Sequence, residues 1–225
     1  MNDKELVAIH ASKLVKNGMV VGLGTGSTAN YFIEALARRQ TDEGLQVTTV
    51  ASSTITAIKA QSSGLAVQSI AQLSKIDLYV DGADEINPNL TLLKGRGQDL
   101  VMEKLLAKAA DQFVVVADNS KLVSRIGEKF VIPIEVIPAA WQLVKRSLEQ
   151  AGATGDIRLN TGKDNVAISA HGSYVLDMKF PAALDDKALN ELLNNTPGVV
   201  EHGVFYQLAS TILIADNGQI ETRQC

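Results

Sequence analysis

The first half of the chain alternates short apolar runs with stretches of helical periodicity. The apolar runs lie at residues 19–23, 47–52, 65–69, 76–80 and 113–117, and most are separated by segments whose apolar residues recur every three or four positions. Such alternation favours a mostly parallel sheet with helices on both faces, because parallel strands need a crossover connection that a helix commonly supplies. The sequence therefore predicts an α/β main domain.

The pattern changes after Asn119. The extended segment at residues 131–138 contains Pro133 and Pro138, which oppose continuation as a helix. Helical stretches and further short apolar runs follow, at residues 139–151, 157–160, 166–170, 174–178, 185–194 and 199–205. We expect a smaller, strand-rich α+β domain over residues 131–205, with residues 1–130 and 206–225 forming the main domain.

Composition and charge exclude several classes of protein. The chain is 46% hydrophobic and 20% charged, its net charge is −4, and it has no basic cluster for nucleic acid. Its one cysteine, Cys225, allows no internal disulfide, and its three histidines are scattered without ligand spacing. No apolar run is long enough to span a membrane, and the N-terminus does not resemble a secretory signal. We expect a cytoplasmic protein with no metal, nucleic-acid or membrane partner.

A glycine-rich loop, Gly24–Thr28, follows the first apolar run and precedes a helical stretch. Backbone N–H groups at the start of a helix favour an anion, and Ser27 and Thr28 add hydroxyl donors. The loop lacks the third glycine of the dinucleotide motif, since Ala29 and Asn30 follow, and it also lacks the Walker lysine. It therefore predicts a small anion site, with a tight turn that caps a helix as the alternative.

Three carboxylates, Asp81, Asp84 and Glu85, follow the apolar run at residues 76–80. Open α/β sheets bind ligands outside the carboxyl ends of their strands, which places these acids at a predicted site. The alternative is a turn stabilised by its own aspartates and needing no ligand. Crowded like charges cost stability unless something binds there, and this favours the site.

Basic residues and another acid lie shortly after this cluster. The segment Lys94–Gly97 precedes a helical stretch in which Glu103 falls beside Leu106, at the edge of the apolar face. Positions 99 and 107 hold Asp and Ala, so Glu103 has no ion pair within its helix. We expect burial to raise the pKa of its carboxyl, as suits a general base. Lys121 follows another apolar run and could reach an anion, or could be an ordinary surface lysine.

Taken together, these segments resemble ribose-5-phosphate isomerases of the A type. The matching segments occur in order across nearly the whole chain: GLGTGSTA at 22–29, YVDGADEI at 79–86, LKGRG at 93–97, EK at 103–104, VADNSK at 116–121, PIEVIP at 133–138 and PGVVEHGVF at 197–205. The resemblance implies a Rossmann-like main domain with a small ferredoxin-like α+β domain. It also implies a homodimer or homotetramer.

The activity implied by the resemblance is aldose–ketose isomerisation in the non-oxidative pentose phosphate pathway. Such an enzyme interconverts D-ribose 5-phosphate and D-ribulose 5-phosphate through an enediolate, without a metal or other cofactor. In this sequence Glu103 would be the base, Lys94 would stabilise the oxyanion, Asp81 would position the sugar oxygens, and Asp84 would assist ring opening. The substrate-binding residues implied by the resemblance are Thr25, Gly26, Ser27, Thr28, Asp81, Gly82, Ala83, Asp84, Lys94, Gly95, Arg96, Gly97 and Lys121.

Some positions depart from the family pattern. Gln98 and Asp99 stand where small residues are usual, Met102 replaces an arginine, and residues 165–169 differ in the small domain. These departures leave open a divergent paralogue that binds sugar phosphates without turning them over. A third alternative is an enzyme of related fold, such as an amino-sugar phosphate deaminase or a CoA transferase, although no histidine lies between residues 11 and 170 for a deaminase.

Overall fold

The computed structural model describes residues 2–224, which form two compact units. The first unit contains the chain up to Ala83, Met102–Lys121 and the chain from Leu208 onward, and the second contains Asp84–Val101 and Leu122–Gln207. The second unit is thus larger than residues 131–205, because residues 84–101 supply two short strands that pair within it.

Strands and helices alternate along the chain as far as residue 81. The strands are β1 (Val20–Leu23), β2 (Thr48–Ala51), β3 (Ile76–Asp81), β4 (Glu85–Ile86), β5 (Leu92–Leu93), β6 (Ala110–Asp118), β7 (Ile132–Val136), β8 (Thr154–Ile157), β9 (Tyr174–Lys179), β10 (Val199–His202), β11 (Val204–Phe205), β12 (Thr211–Asp216) and β13 (Gln219–Gln224). The α-helices are α1 (Asp3–Ser12), α2 (Ser27–Glu43), α3 (Thr54–Ser62), α4 (Leu100–Ala109), α5 (Trp141–Gln150) and α6 (Asp186–Asn194).

The first unit contains a sheet in the order β13-β12-β6-β3-β1-β2. All neighbouring pairs are parallel except β12 with β13, which form an antiparallel hairpin. The strand order reverses between β1 and β3, and doubly wound sheets bind ligands at such a switch point, outside the carboxyl ends of the strands. This topology makes the residues after β1 and β3 the first place to look for a site.

Local capping explains where the helices of the first unit begin. The Asn2 side chain accepts a hydrogen bond from Glu5 N at 2.8 Å and so caps α1, while Ser53 caps α3 by accepting one from Thr56 N at 3.2 Å. Asp3 does not cap α1. Its carboxylate instead accepts hydrogen bonds from the backbone N–H groups of Asn217 and Gly218 in the β12–β13 turn.

The second unit has a sheet in the order β10-β7-β9-β8, with every neighbouring pair antiparallel. Helix α5 connects β7 to β8 and α6 connects β9 to β10, which gives a ferredoxin-like βαββαβ unit. Each helix buries an apolar pair four residues apart, Val144 with Leu148 and Leu189 with Leu193, against the core beside the sheet. The predicted fold class, α/β with a smaller ferredoxin-like domain, is confirmed.

Three predicted strands take a different form. Residues 65–69 and 166–170 are extended, but they form only isolated bridges, through Val67, Val166 and Ile168. The run at residues 199–205 is broken at Gly203, so β10 joins the four-stranded sheet and β11 pairs with β5 in a separate small sheet. Apolar composition alone does not reveal whether a neighbouring strand is available for a full ladder.

Candidate functional site

The glycine-rich loop lies between β1 and α2, at the predicted position. Gly24 is in close contact with β3, since a Cβ atom there would lie 2.6 Å from the Cα atom of Asp81. Gly26 immediately precedes α2 and has a φ of 118°, a conformation that side chains other than hydrogen rarely adopt. The loop therefore needs glycine at both positions, and it presents the start of a 17-residue helix to a ligand.

Hydroxyl groups at the start of α3 form hydrogen bonds with this loop. The Thr25 Oγ1 atom lies within hydrogen-bond distance of Ser52 Oγ at 2.8 Å, Ser53 Oγ at 2.7 Å and Thr56 Oγ1 at 3.1 Å. The Thr56 hydroxyl also donates to the carbonyl oxygen of Gly24 at 3.0 Å. The Thr25 side chain is thus engaged with α3 and its cap, so a ligand at this loop would meet the backbone from Gly26 onward and the hydroxyls of Ser27 and Thr28.

A pocket of about 550 Å³ opens beside the loop, lined in part by Lys4, Ser27 and Asp118. The Lys4 ammonium donates a hydrogen bond to Ser27 Oγ at 3.1 Å. Burial alone would raise the pKa of Asp118, but hydrogen bonds from Ser120 and the positive charges of Lys121 and Lys4 lower it. Lys4 lines this pocket beside three carboxylates, Asp3, Asp118 and Asp216, and the charge of Lys121 reaches Asp118. An anion bound here would rely on Lys4, Lys121 and the start of α2 to offset those acids.

Asp81 is the last residue of β3 and is fully buried. Its Oδ1 atom accepts hydrogen bonds from the backbone N–H groups of Thr25 at 3.1 Å and of Gly82 at 2.7 Å. Its Oδ2 atom accepts a short hydrogen bond from the Tyr79 hydroxyl. The structure thus brings Asp81 and the glycine-rich loop together at the switch point of the sheet.

Glu103 lies in the first turn of α4 and is 6% exposed. The position predicted from helical periodicity, at a buried edge, is therefore confirmed. Burial, followed by the negative charges of Asp81 and Glu103, raises the pKa of Tyr79 well above its usual range. The charge of Glu103 therefore reaches the Tyr79 phenol, which is itself hydrogen-bonded to Asp81.

The predicted residues of the second unit form a separate group. Lys94, at the end of β5, is 3% exposed, and its Nζ atom lies 5.6 Å from the centroid of the Phe205 ring. The Arg96 guanidinium lies over the Phe130 ring at 3.9 Å and is 3.9 Å from Asp84 Oδ1. Lys94 is thus a buried cation, whereas Arg96 and Asp84 form an open and partly solvated pair.

The third acid of the cluster, Glu85, has a structural position. It is fully buried in β4, and its carboxylate accepts backbone hydrogen bonds from Gly127 at 2.6 Å, Lys129 at 2.7 Å and Phe130 at 2.8 Å. Three N–H donors satisfy the carboxylate and fasten the 127–130 loop to β4. Glu85 therefore stabilises the second unit.

Two residues that sequence reasoning did not single out take part in this arrangement. Lys4 lies in α1, far along the chain from the loop that it contacts, and nothing in its local sequence distinguishes it from a surface lysine. Tyr79 occupies a strand position that reads as an ordinary core aromatic. Only the fold brings the Lys4 ammonium to Ser27, while the spacing of Tyr79 and Asp81 on one face of β3 was a signal available in the sequence.

The described residues contain no metal-binding cluster and no membrane-spanning helix. Within residues 2–224, no group of three or more His, Cys, Asp or Glu side chains could hold a metal ion. Nor does this part of the chain contain a helix long and apolar enough to cross a membrane. Cys225, on which the disulfide expectation rested, lies outside the described residues.

Comparison with known sequences identifies relatives over nearly the whole chain. The model of the family described as ribose 5-phosphate isomerase A (phosphoriboisomerase A) matches residues 48–219. Ribose-5-phosphate isomerase A from Methanothermobacter thermautotrophicus is 45% identical over 95% of this chain and 93% of its own length. The protein of the same name from Thermococcus kodakarensis is 42% identical over 94% of this chain and 93% of its own length.

Solved structures agree with the sequence comparison. Ribose 5-phosphate isomerase A from Methanocaldococcus jannaschii superposes with a TM-score of 0.94 at 38% identity, covering 99% of this chain and 98% of the other. A D-ribose-5-phosphate isomerase in complex with phospho-erythronic acid superposes with a TM-score of 0.95 at 35% identity, covering all of both chains. On these matches, the chain belongs to the ribose 5-phosphate isomerase A family.

Proposed function

We propose that this chain is an enzyme that interconverts D-ribose 5-phosphate and D-ribulose 5-phosphate. The observation that carries the proposal is the meeting of Asp81 with the glycine-rich loop at the switch point of the first sheet. A loop suited to a phosphate and an acid suited to the sugar oxygens would thus lie side by side, as binding of a phosphorylated sugar would need. Family membership supports this activity, as does the phospho-erythronic acid bound by one relative.

The phosphate of the substrate would bind at the loop of the first unit. Backbone N–H groups of Gly26, Ser27 and Thr28 and the start of α2 would supply dipoles directed at an anion, while Thr25, whose N–H donates to Asp81, would hold the loop in place. Lys121, together with Lys4, would supply the positive charge. Because phosphate and two ammonium groups attract strongly, this end of the substrate would contribute much of the binding energy.

The isomerisation itself would require one base and one electrophile. Glu103 would remove the proton from C2 of the open-chain aldose and return it to C1, which converts ribose 5-phosphate into ribulose 5-phosphate through an enediolate. Lys94 would stabilise the negative charge that develops on the sugar oxygen, since a preorganised buried cation costs little to reorganise. The proton taken from C2 would return at C1, and the hydroxyl proton of O2 would pass to O1 with Asp81 as a relay, so the reaction is balanced without a redox partner.

Ring opening and orientation would fall to the remaining site residues. Asp84, with Lys94, would assist opening of the furanose, and Asp81 would orient the sugar oxygens. The backbone at Gly82, Ala83, Gly95, Arg96 and Gly97 would line the reacting end of the substrate. The proposal includes no metal or other cofactor, because side-chain acids and bases suffice for each proton transfer.

The setting of the activity is also part of the proposal. We place the enzyme in the cytoplasm, in the non-oxidative pentose phosphate pathway, as a homodimer or homotetramer with no nucleic-acid or membrane partner. Support comes from the metabolic activity named for its relatives and from the absence of a membrane-spanning helix in residues 2–224. Sedimentation of the purified chain measures the oligomer directly, and a monomer at micromolar concentration would contradict that part.

A turnover assay tests the proposed activity. Purified protein is supplied with D-ribose 5-phosphate, and D-ribulose 5-phosphate is measured through a coupled reaction, with and without a chelator. We expect the same turnover in both conditions. Binding of ribose 5-phosphate without turnover would instead support the non-catalytic paralogue, and chelator-sensitive turnover would contradict a cofactor-free mechanism.

A further inference from the structure

Tyr79 is a buried phenol whose ring and hydroxyl are both held. The side chain is fully buried, and its ring stacks on Phe113 with 4.8 Å between centroids and an interplanar angle of 21°. Its hydroxyl donates a short hydrogen bond to Asp81 Oδ2. Gly22 on the neighbouring strand leaves room for the ring, since a Cβ atom there would lie 2.7 Å from Tyr79 Cδ2. The strand packing therefore directs the hydroxyl at Asp81.

The two oxygens of Asp81 are held by different parts of the protein. Oδ1 is held by the main chain, through the N–H groups of Thr25 and Gly82. Oδ2 accepts the phenol of Tyr79. Donors on both oxygens restrict rotation of the carboxylate, and the side-chain donor is the only one of these three that a substitution can remove.

The phenol remains a donor under all working conditions. Burial, then the charge of Asp81, then that of Glu103, raises the pKa of Tyr79 well above its usual range. Its proton therefore stays on the oxygen near neutral pH, and the group serves to hold a carboxylate rather than to exchange protons.

We propose that Tyr79 is a positioning residue that holds the Asp81 carboxylate in the orientation needed to handle the sugar oxygens. The inference rests on the proposed function, because it gives Asp81 a role in turnover. A hydrogen bond to a charged group is among the stronger ones in proteins, so its loss should be visible in the rate.

The first test replaces Tyr79 with phenylalanine, which keeps the stacked ring and removes only the hydroxyl. We expect kcat to fall about tenfold to a hundredfold, as for loss of a hydrogen bond to a charged group. KM should change by no more than about twofold, because the phosphate loop is untouched. Tyr174→Phe removes the same atom from a tyrosine packed on the core of the second unit, and it should leave kcat unchanged within about twofold.

The second test separates positioning from general support of the fold. Tyr79→Phe is introduced into Asp81→Ala, or into Asp81→Asn if the alanine variant does not fold, and residual turnover is compared. If Tyr79 acts through Asp81, the second substitution causes little further loss, because the coupled pair has already been broken. An equal loss in both backgrounds would overturn the proposal, and so would a folded Tyr79→Phe protein with wild-type kcat.

Failure of this inference can be told apart from failure of the proposed function. Turnover by the wild-type chain and its loss in Asp81→Ala or Asp81→Asn establish the activity and the role of Asp81 independently of Tyr79. With both in place, an unaffected Tyr79→Phe variant rejects the positioning role alone. Circular dichroism and thermal melting of each variant show whether its fold is retained.

Discussion

At the scale of single residues, Glu103 carries the most consequential assignment. It is buried in the first turn of α4, and the phenol of Tyr79 responds to its charge. Glu103→Gln keeps the size of the side chain but cannot accept a proton, so we expect turnover to fall by about 10² to 10⁴-fold. A coupled assay of ribose 5-phosphate turnover measures this loss.

A matched substitution shows whether the loss is specific to Glu103. Glu149 lies in α5 of the second unit, where its carboxylate is 3.6 Å from Lys145 Nζ and partly exposed. Glu149→Gln makes the same chemical change at a surface ion pair and should leave turnover within about twofold of wild type. Normal turnover in Glu103→Gln would remove that residue from the mechanism.

Glu135 is another buried carboxyl, outside the proposed site. Both of its oxygens are buried and have no hydrogen-bond partner at normal geometry, although Ser169, Ser173 and the Val101 N–H lie near enough to affect the carboxyl. Burial raises the pKa of Glu135 above its ordinary value of 4.5, and Ser169, the charge of His171, Val101 N–H and Ser173 offset only part of that effect. The charged form of this group is therefore disfavoured in the folded state.

The sign of the resulting pH dependence is opposite to that of most carboxyls. Below about pH 4.5 Glu135 is neutral in both states, and as pH rises through its folded pKa the folded protein must hold a buried charge. The stability that the neutral Glu135 carboxyl contributes to the folded protein is therefore lost as the pH rises. We therefore compare the free energy of unfolding of Glu135→Gln with that of wild type, by urea unfolding at pH 4 and at pH 7. The difference should favour the variant more at pH 7 than at pH 4. A difference independent of pH would contradict the raised pKa.

At the scale of elements, the segment between β5 and α4 contains a residue in an unfavourable conformation. Gln98 has a φ of 70°, in the left-handed region, and its N–H donates to the Gly95 carbonyl oxygen at 3.2 Å. A side chain in that region costs roughly 1 kcal/mol that glycine does not incur. Because glycine also adds backbone freedom to the unfolded chain, which offsets part of this relief, we expect Gln98→Gly to raise the free energy of unfolding by no more than about 0.5 kcal/mol, as measured by urea unfolding.

The same replacement in a regular strand should have the opposite effect. Gln112 is exposed in β6, where glycine adds backbone freedom to the unfolded chain without relieving any strain. Gln112→Gly should lower the free energy of unfolding by about 0.5–1 kcal/mol. If both variants were destabilised, the Gln98 conformation would not be strained.

An element was predictable where nearby residues in the sequence determine it, and not where a distant segment does. The helix α6 follows from an Asp185 cap and the Leu189–Leu193 spacing, both readable in the sequence. The extended segments at residues 65–69 and 166–170 looked like strands, but a ladder also needs a partner that only the tertiary fold supplies. Asp81 and the glycine-rich loop directly follow strands, so their places at the site were predictable from the local sequence. The approach of Lys4 to Ser27 was not, because it depends on the tertiary fold.

At the scale of the whole molecule, each structural unit is built from segments that are not contiguous in the sequence. The chain passes between the two units four times, after Ala83, Val101, Lys121 and Gln207. The division predicted at residues 131–205 follows the composition and the order of predicted strands and helices. Neither contains a sign that residues 84–101 belong with the later segment. The second unit therefore depends on contacts that join two distant stretches of chain.

Glu85 is the clearest of these joining contacts. Its buried carboxylate in β4 accepts backbone hydrogen bonds from Gly127, Lys129 and Phe130, so one side chain ties residues 84–101 to residues 122–207. Glu85→Gln removes the charge and turns one acceptor oxygen into a donor that faces backbone N–H groups. We expect the free energy of unfolding to fall by about 2–4 kcal/mol, because buried donors lose their acceptor.

Urea unfolding of the intact chain measures this loss, and hydrogen exchange locates it. The amides of Gly127, Lys129 and Phe130 should exchange faster in Glu85→Gln than in wild type, because their acceptor is weakened. Glu128→Gln is the matched control, since the Glu128 carboxylate accepts from Ser124 N–H at 2.7 Å at the exposed surface of the same loop. That variant should differ from wild type by no more than about 0.5 kcal/mol. Equal effects of the two substitutions would show that residues 84–101 are held to the second unit by other contacts.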